Sequence, residues 1–311
     1  MIVAQQSGSI RPTKSRTEVL ATLFLILAVV RPSPYWVRNE FCRWALNTGD
    51  CDDLERGRTN TNGSIGGFQS GHPWDRNFFL SYLGVIWIVI LAGFVPDMIR
   101  HVQTDRPPYP LVVHFHAAVF VGWLVLLSTQ IVLIRLKRQD IHRALGIAGV
   151  GLIAAIIILG PITALTVDRQ KLGLPNYHPA FLSVQLLDIV AFAGAATAAL
   201  AMRSNPAAHK RLILLATLSM IDAGFSRIEL PHWVGAILGN GFWSFMIQIY
   251  LINGLLIIGI GAYDLVTRRC LLPAYVAGSL WVCTNLLLAG WLDKSLFWKP
   301  IAVNLISRWP I

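Results

Sequence analysis

Seven stretches of this chain are apolar over lengths that match or approach a bilayer crossing, and that feature limits the fold more than any other. A hydrocarbon core of about 30 Å takes about 20 helical residues. Residues 78–95, 111–134, 144–167, 179–202, 242–263 and 271–292 supply such blocks. Residues 212–225 form a shorter one that contains Asp222 and must run on to about residue 230 to cross. In lipid every backbone amide needs a partner within its own segment, so the blocks are expected to be helices. The expectation is an all-α integral membrane bundle over residues 74–311, with seven transmembrane helices and spans two to five as its core.

Composition agrees. The chain is 55% hydrophobic and 14% charged, with a mean hydropathy of +0.57. Soluble domains run near 45–50% and 25%. A net charge of +10, from 26 basic and 16 acidic residues, would elsewhere suggest nucleic acid. Here the short loops account for it, because basic residues hold loops on the cytoplasmic side of a membrane. No nucleic-acid partner is expected; the lipid bilayer is. Four cysteines, Cys42, Cys51, Cys270 and Cys283, show neither a CxxC pair nor zinc spacing.

The loops after spans two, four and six carry Arg135, Lys137, Arg138, Arg143, Arg203, Lys210, Arg211, Arg268 and Arg269. The opposite loops carry only Arg100, Arg106, Arg169, Lys171 and Arg227. The start of span one is therefore expected in the cytoplasm of an inner (plasma) membrane protein, with the C-terminus outside. Residues 1–73 read differently. A 12-residue apolar run at 19–30 follows Lys14 and Arg16 like a signal-peptide core, without a good cleavage pattern, and 57–70 reads as a tether. A weakly structured leader is expected there.

The histidines carry the most specific pattern. His116 opens span two and His178 precedes span four, both on the expected outer side. His142 and His209 open spans three and five on the inner side. Neighbouring helices would thus offer one imidazole pair near each face, an arrangement suited to bis-histidine haem. Gly146 and Gly149 below His142, and Ala216 below His209, leave room for a macrocycle. Asp140 and Asn205-Pro206 can cap the helices that carry them. His-Arg and His-Lys-Arg at a boundary equally suit lipid headgroups, and glycine on a spanning face equally suits helix packing. His114 points away from His116, about 200° around the helix.

Asp188 and Asp222 are costly inside a membrane, so each calls for a partner or a task. With His116, His178 and Gln185 they are expected in the outer leaflet, as surroundings of a haem, a proton relay or a divalent-metal site. The plainer reading pairs Asp222 with Arg227, or Asp188 with a histidine. Asn253 and Asn285 are expected to bond between helices. Ala191, Ala195 and Ala199 form a small-residue ridge suited to close helix contact.

Across residues 74–309 the chain resembles bacterial multi-pass membrane proteins of uncharacterised role with His-Arg-x-x-Gly and His-Lys-Arg-Leu at helix starts. Here these read His142-Arg143-Ala144-Leu145-Gly146 and His209-Lys210-Arg211-Leu212. That resemblance implies a membrane fold and no activity. The histidine layout is also similar to the ascorbate-reducible di-haem transmembrane cytochromes, which implies an outer haem b on His116 and His178 and an inner one on His142 and His209. The inner histidines here lie closer to the helix edge than in that family. The first expectation is a b-type electron carrier with a quinone or protein redox partner. The others are a small-solute or proton-coupled carrier using Asp188 and Asp222, a respiratory-complex assembly factor, and a metal-dependent intramembrane hydrolase.

Overall fold

The structure is a computed structural model that describes residues 68, 71–104, 108–175, 177–228 and 230–310. The apolar run at 19–30, the tether and the Cys42/Cys51 pair lie outside the described residues. Those described are helical with connecting turns, and among them no strand occurs.

Among the described residues, six helices are long and apolar enough to cross a membrane. They are α1 (Asp75–Gln103), α2 (Leu111–Arg135), α3 (Gln139–Lys171), α4 (Leu182–Ala201, entered through a 3-10 turn Pro179–Phe181), α8 (Phe242–Arg268) and α9 (Pro273–Lys294). The fifth apolar block departs from the seven-helix expectation. It begins as α5 (Pro206–Leu218), stops, and resumes as the single turn α6 (Asp222–Phe225). Two short helices complete the described residues, α7 (Leu230–Leu238) and α10 (Trp298–Arg308).

Contacts at the two ends show that this broken segment still runs the length of the bundle. At one end Asp75, opening α1, accepts from Lys210 at 2.5 Å and from Arg268 at 2.7 Å. His209 and the Ala199 carbonyl meet at the same end. At the other end Arg227 pairs with Asp97 of α1 at 3.3 Å, and His178 pairs with Asp293 of α9 at 3.0 Å. Residues 206–227 therefore pass from one end to the other.

The broken passage is the centre of the molecule. Leu212, Leu214, Leu215, Ala216, Leu218, Ser219, Ile221 and Asp222 are all buried. Helices α1, α4, α8 and α9 pack around it. The Ala191, Ala195, Ala199 ridge of α4 is sealed against its neighbours, which allows close approach. Spans two and three are peripheral, contrary to the expected core. Only 17% of the apolar window of α2 or α3 is buried, against 44% for α4 and 39% for α9. Long side chains such as Val121, Val125, Ile147 and Ile158 point outward from them.

An interrupted helix in a membrane is tolerated only where protein, not lipid, surrounds it. Two features make this one possible. Gly93 of α1 lies so close that a Cβ there would overlap the Gly224 carbonyl, and a Cβ on Gly224 would come within 2.9 Å of Ile90 Cα. Asn253 of α8 donates Nδ2–H to the Leu218 carbonyl at 2.8 Å, where the helical ladder lapses. The turn itself closes with longer three-residue bonds, Met220 to Thr217 at 3.3 Å and Ile221 to Leu218 at 3.4 Å.

At the α1-start end the broken passage is held by charge. Arg211 donates to both oxygens of Asp264 at 2.6 and 2.5 Å, and both side chains are fully buried. Arg268 bridges Asp264 at 3.2 Å and Asp75, and Tyr263 donates to Asp75 at 2.6 Å. Asn205 caps α5 by accepting from Ala207 and Ala208, as expected, with Pro206 in the first turn. Asp140 does not cap α3. It pairs instead with exposed Arg138.

Candidate functional site

Ionisable side chains gather in the interior where the fifth passage breaks. Asp188 of α4 and Asp222 of α6 are 7% and 4% exposed, and their carboxyls meet within hydrogen-bonding reach. Tyr250 of α8 donates its hydroxyl to Asp188 Oδ1 at 3.1 Å. Asn253 reaches Asp222 Oδ1 with the same amide nitrogen at 3.4 Å. Ser219 sits against the Asp188 carbonyl at 3.5 Å. Asn253 Oδ1 accepts no hydrogen bond although the residue is fully buried.

The chemistry of this pair follows from its setting. A carboxylate only accepts hydrogen bonds, so two neighbouring carboxyls can bond to each other only when a proton is held between them. Two adjacent negative charges in a low-dielectric interior repel strongly, which also favours one shared proton. The site can therefore bind and release a proton, provided a path leads to it.

The structure brings together part of the expected outer cluster. Asp188 and Asp222 join, with Tyr250 and Asn253 added from α8. Gln185 turns to Asp168 of α3 instead, and its Oε1 is buried without a partner. His178 uses Nε2 on Asp293, whose side chain is fully buried, while its own ring is 54% exposed. His116 stacks on Phe120 with ring centres 4.2 Å apart, and its Nδ1 is buried without a partner. Among the described residues no hydrogen bond joins His116 to His178. The Asp222–Arg227 pairing gives way to Arg227–Asp97. Asn253 bonds between helices, whereas Asn285 bonds back to Trp281 in its own helix.

His142 and His209 lie near enough to interact electrostatically. His209 Nδ1 sits 2.8 Å from the Ala199 carbonyl. A carbonyl only accepts, so Nδ1 carries the hydrogen and Nε2 keeps its lone pair free, the tautomer a metal ligand needs. His142 Nδ1 is buried without a partner. Space below these rings is uneven. A Cβ on Gly146 would meet nothing within 4 Å, but one on Gly149 would press on Leu126 at 3.3 Å, and Ala216 is fully buried. The inner pair thus fits the donor chemistry of a haem. The outer pair fits it poorly, because Asp293 occupies the nitrogen His178 would offer.

Sequence reasoning missed Tyr250, Asp293 and the buried ions Asp75, Asp264 and Arg268. Asp264 and Arg268 are four residues apart, a helix-pair spacing visible in the sequence. Tyr250 and Asp293 had no such signal, since their partners are 62 and 115 residues away. Among the described residues, no group of three or more His, Cys, Asp or Glu converges in a way that would hold a metal ion. No protein-family model, curated protein or solved structure matches the chain.

Proposed function

We propose that this multi-pass membrane protein is a proton carrier, or a small-solute carrier coupled to protons, with the Asp188–Asp222 pair as its proton-binding centre. One observation carries the reading: two neighbouring carboxyls, sealed from solvent, at a break in the central passage. Ionisable groups within a membrane interior are expensive and are characteristic of proton relays. Broken helices near the middle of a bundle are where carriers commonly place their ion sites. The basic end formed by Arg135, Lys210, Arg211 and Arg268 supports a cytoplasmic start for α1 in a plasma membrane, with the carboxyl pair nearer the outside.

The test is proton movement in vesicles. Reconstituted protein, with a pH-sensitive dye trapped inside, is expected to dissipate an imposed pH gradient under valinomycin and potassium. Asp188→Asn and Asp222→Asn are each expected to abolish that flux. Flux unchanged in both variants, or absent from the folded parent protein with and without candidate solutes, would overturn the reading.

A second reading, an electron carrier with haem b and a quinone or protein partner, is supported by the proximity of His142 and His209 and by the free Nε2 of His209. When bound, a haem would supply one-electron chemistry at the inner face, with His142 and His209 as its ligands. A reduced-minus-oxidised spectrum of purified protein tests it: Soret and α-band peaks, lost in His209→Ala, are expected, and a flat spectrum at stoichiometric protein would remove the reading.

A further inference from the structure

We propose that His178, Asp293 and Tyr250 form the outer access path by which a proton reaches the Asp188–Asp222 pair. The path rests on the proton-binding reading above and adds its route and its side of the membrane.

Asp293 gives the first reason. It lies in the last turn of α9, where the helix dipole disfavours an anion, yet its side chain is fully buried. A carboxylate there requires compensation or a task. Its Oδ1 bonds His178 at 3.0 Å. Its Oδ2 has the Lys294 ammonium 3.3 Å away but accepts no hydrogen bond. One oxygen of the buried acid thus remains open to a further donor.

Tyr250 gives the second. Its hydroxyl already points its proton at Asp188 Oδ1. The carboxyls near enough to act on it electrostatically are Asp188, Asp222 and Asp293. Helix α9, which carries Asp293, packs against both α4 and α8, and the 3-10 turn after His178 packs on α9.

Third, His178 is the half-exposed member of the series, and its Nε2 reaches Asp293 Oδ1 at 3.0 Å. Other charged or titratable groups face the same end. They are Asp97 on α1, His116 on α2, Asp168 on α3, Arg227 beyond α6 and Lys294 beside Asp293. Arg227 is paired with Asp97 and stands over the Asp222 side, while on the Asp293 side the Lys294 ammonium lies 3.3 Å from Asp293 Oδ2 and leaves Oδ1 to His178.

The steps balance. Protonated His178 passes its Nε2 proton to Asp293 Oδ1 and is reprotonated from the outer solution. Asp293 releases that proton to water on the way to Tyr250. The water protonates the Tyr250 oxygen as Tyr250 gives its own hydroxyl proton to Asp188. One proton moves inward and no electron is transferred.

A plain structural clamp between the α4 turn and the end of α9 would affect stability and leave proton kinetics alone. Infrared spectroscopy separates the two. The band of the protonated carboxyl pair, assigned by its loss in Asp188→Asn, is followed after transfer of the reconstituted protein to deuterated buffer. Asp293→Asn and Tyr250→Phe are each expected to retain the band and to slow its isotope shift about ten-fold or more. His178→Ala is expected to slow it likewise, and added imidazole to restore the parent rate. A band that exchanges at the parent rate in both Tyr250→Phe and Asp293→Asn overturns the path while leaving the pair intact. Absence of any band sensitive to Asp188→Asn overturns the pair itself. Should Asp293→Asn fail to fold, Tyr250→Phe decides alone, since it removes only a hydroxyl.

Discussion

Arg211 and Asp264 face each other through two short, parallel hydrogen bonds in a site from which solvent is absent. The pair ties the start of the broken central passage to the far end of α8. A buried ion pair adds little net stability over apolar residues, but removing one partner leaves an uncompensated charge. Arg211→Ala is therefore expected to cost about 3–5 kcal/mol, measured by thermal or chemical unfolding in detergent. The double variant Arg211→Met, Asp264→Leu is expected to recover most of that loss. A single variant as stable as the parent would show that the clamp does not hold α5 in place.

Gly93 and Gly224 set the distance between α1 and the broken turn. A methyl group at Gly93 has to displace the backbone of residue 224 rather than a flexible side chain. Gly93→Ala is expected to destabilise by about 1–3 kcal/mol through overpacking, and Gly93→Leu to prevent assembly. Gly146→Ala is the control, since open space surrounds that position and no loss is expected there. Equal effects at the two sites would refute the close approach.

Asn253 holds the break open with a single amide that serves both Leu218 and Asp222. Asn253→Ala leaves a buried carbonyl without its donor and is expected to cost about 1–3 kcal/mol. It is also expected to change the proton affinity of the carboxyl pair, visible as a shifted pH dependence of flux. Asn253→Leu should behave alike in stability, whereas unaltered flux in both variants would separate this residue from the site.

Asn205 and Asp140 look equivalent as helix caps in the sequence, and the structure separates them. Asn205→Ala is expected to lose about 1 kcal/mol. Asp140→Ala, exposed and bonded only to Arg138, is expected to leave stability unchanged. The same unfolding measurement ranks both.

Much of the architecture was legible because bilayer thickness converts directly into block length. The block at 111–134 became α2 (Leu111–Arg135) with one residue added. The fifth block carried its own warning, being too short and holding Asp222. Those two signals mark the break, yet hydropathy alone treats them as a weak span. Its central position was hidden for a different reason. Whether a spanning helix faces lipid or protein depends on the small-residue contacts of Ala191, Gly224 and Gly278 with their neighbours, and an apolar block reads alike in either setting. The carboxyl pair was half visible, since Asp188 and Asp222 stood out as costly residues. Their contact could not be read, nor could Tyr250 and Asp293, because long-range partners leave no periodic trace. The histidines drew attention for their symmetry. In the folded chain His178 pairs with Asp293 and His116 lies against Phe120, while His142 and His209 are near enough to act on one another electrostatically.

The account turns on a proton held between Asp188 and Asp222, and infrared spectroscopy of the reconstituted parent protein at neutral pH addresses it most directly. A protonated-carboxyl stretch from a dry environment is expected, lost in Asp188→Asn and altered in Asp222→Asn. A spectrum in which neither substitution removes any such stretch, with both residues present only as carboxylates, would contradict it.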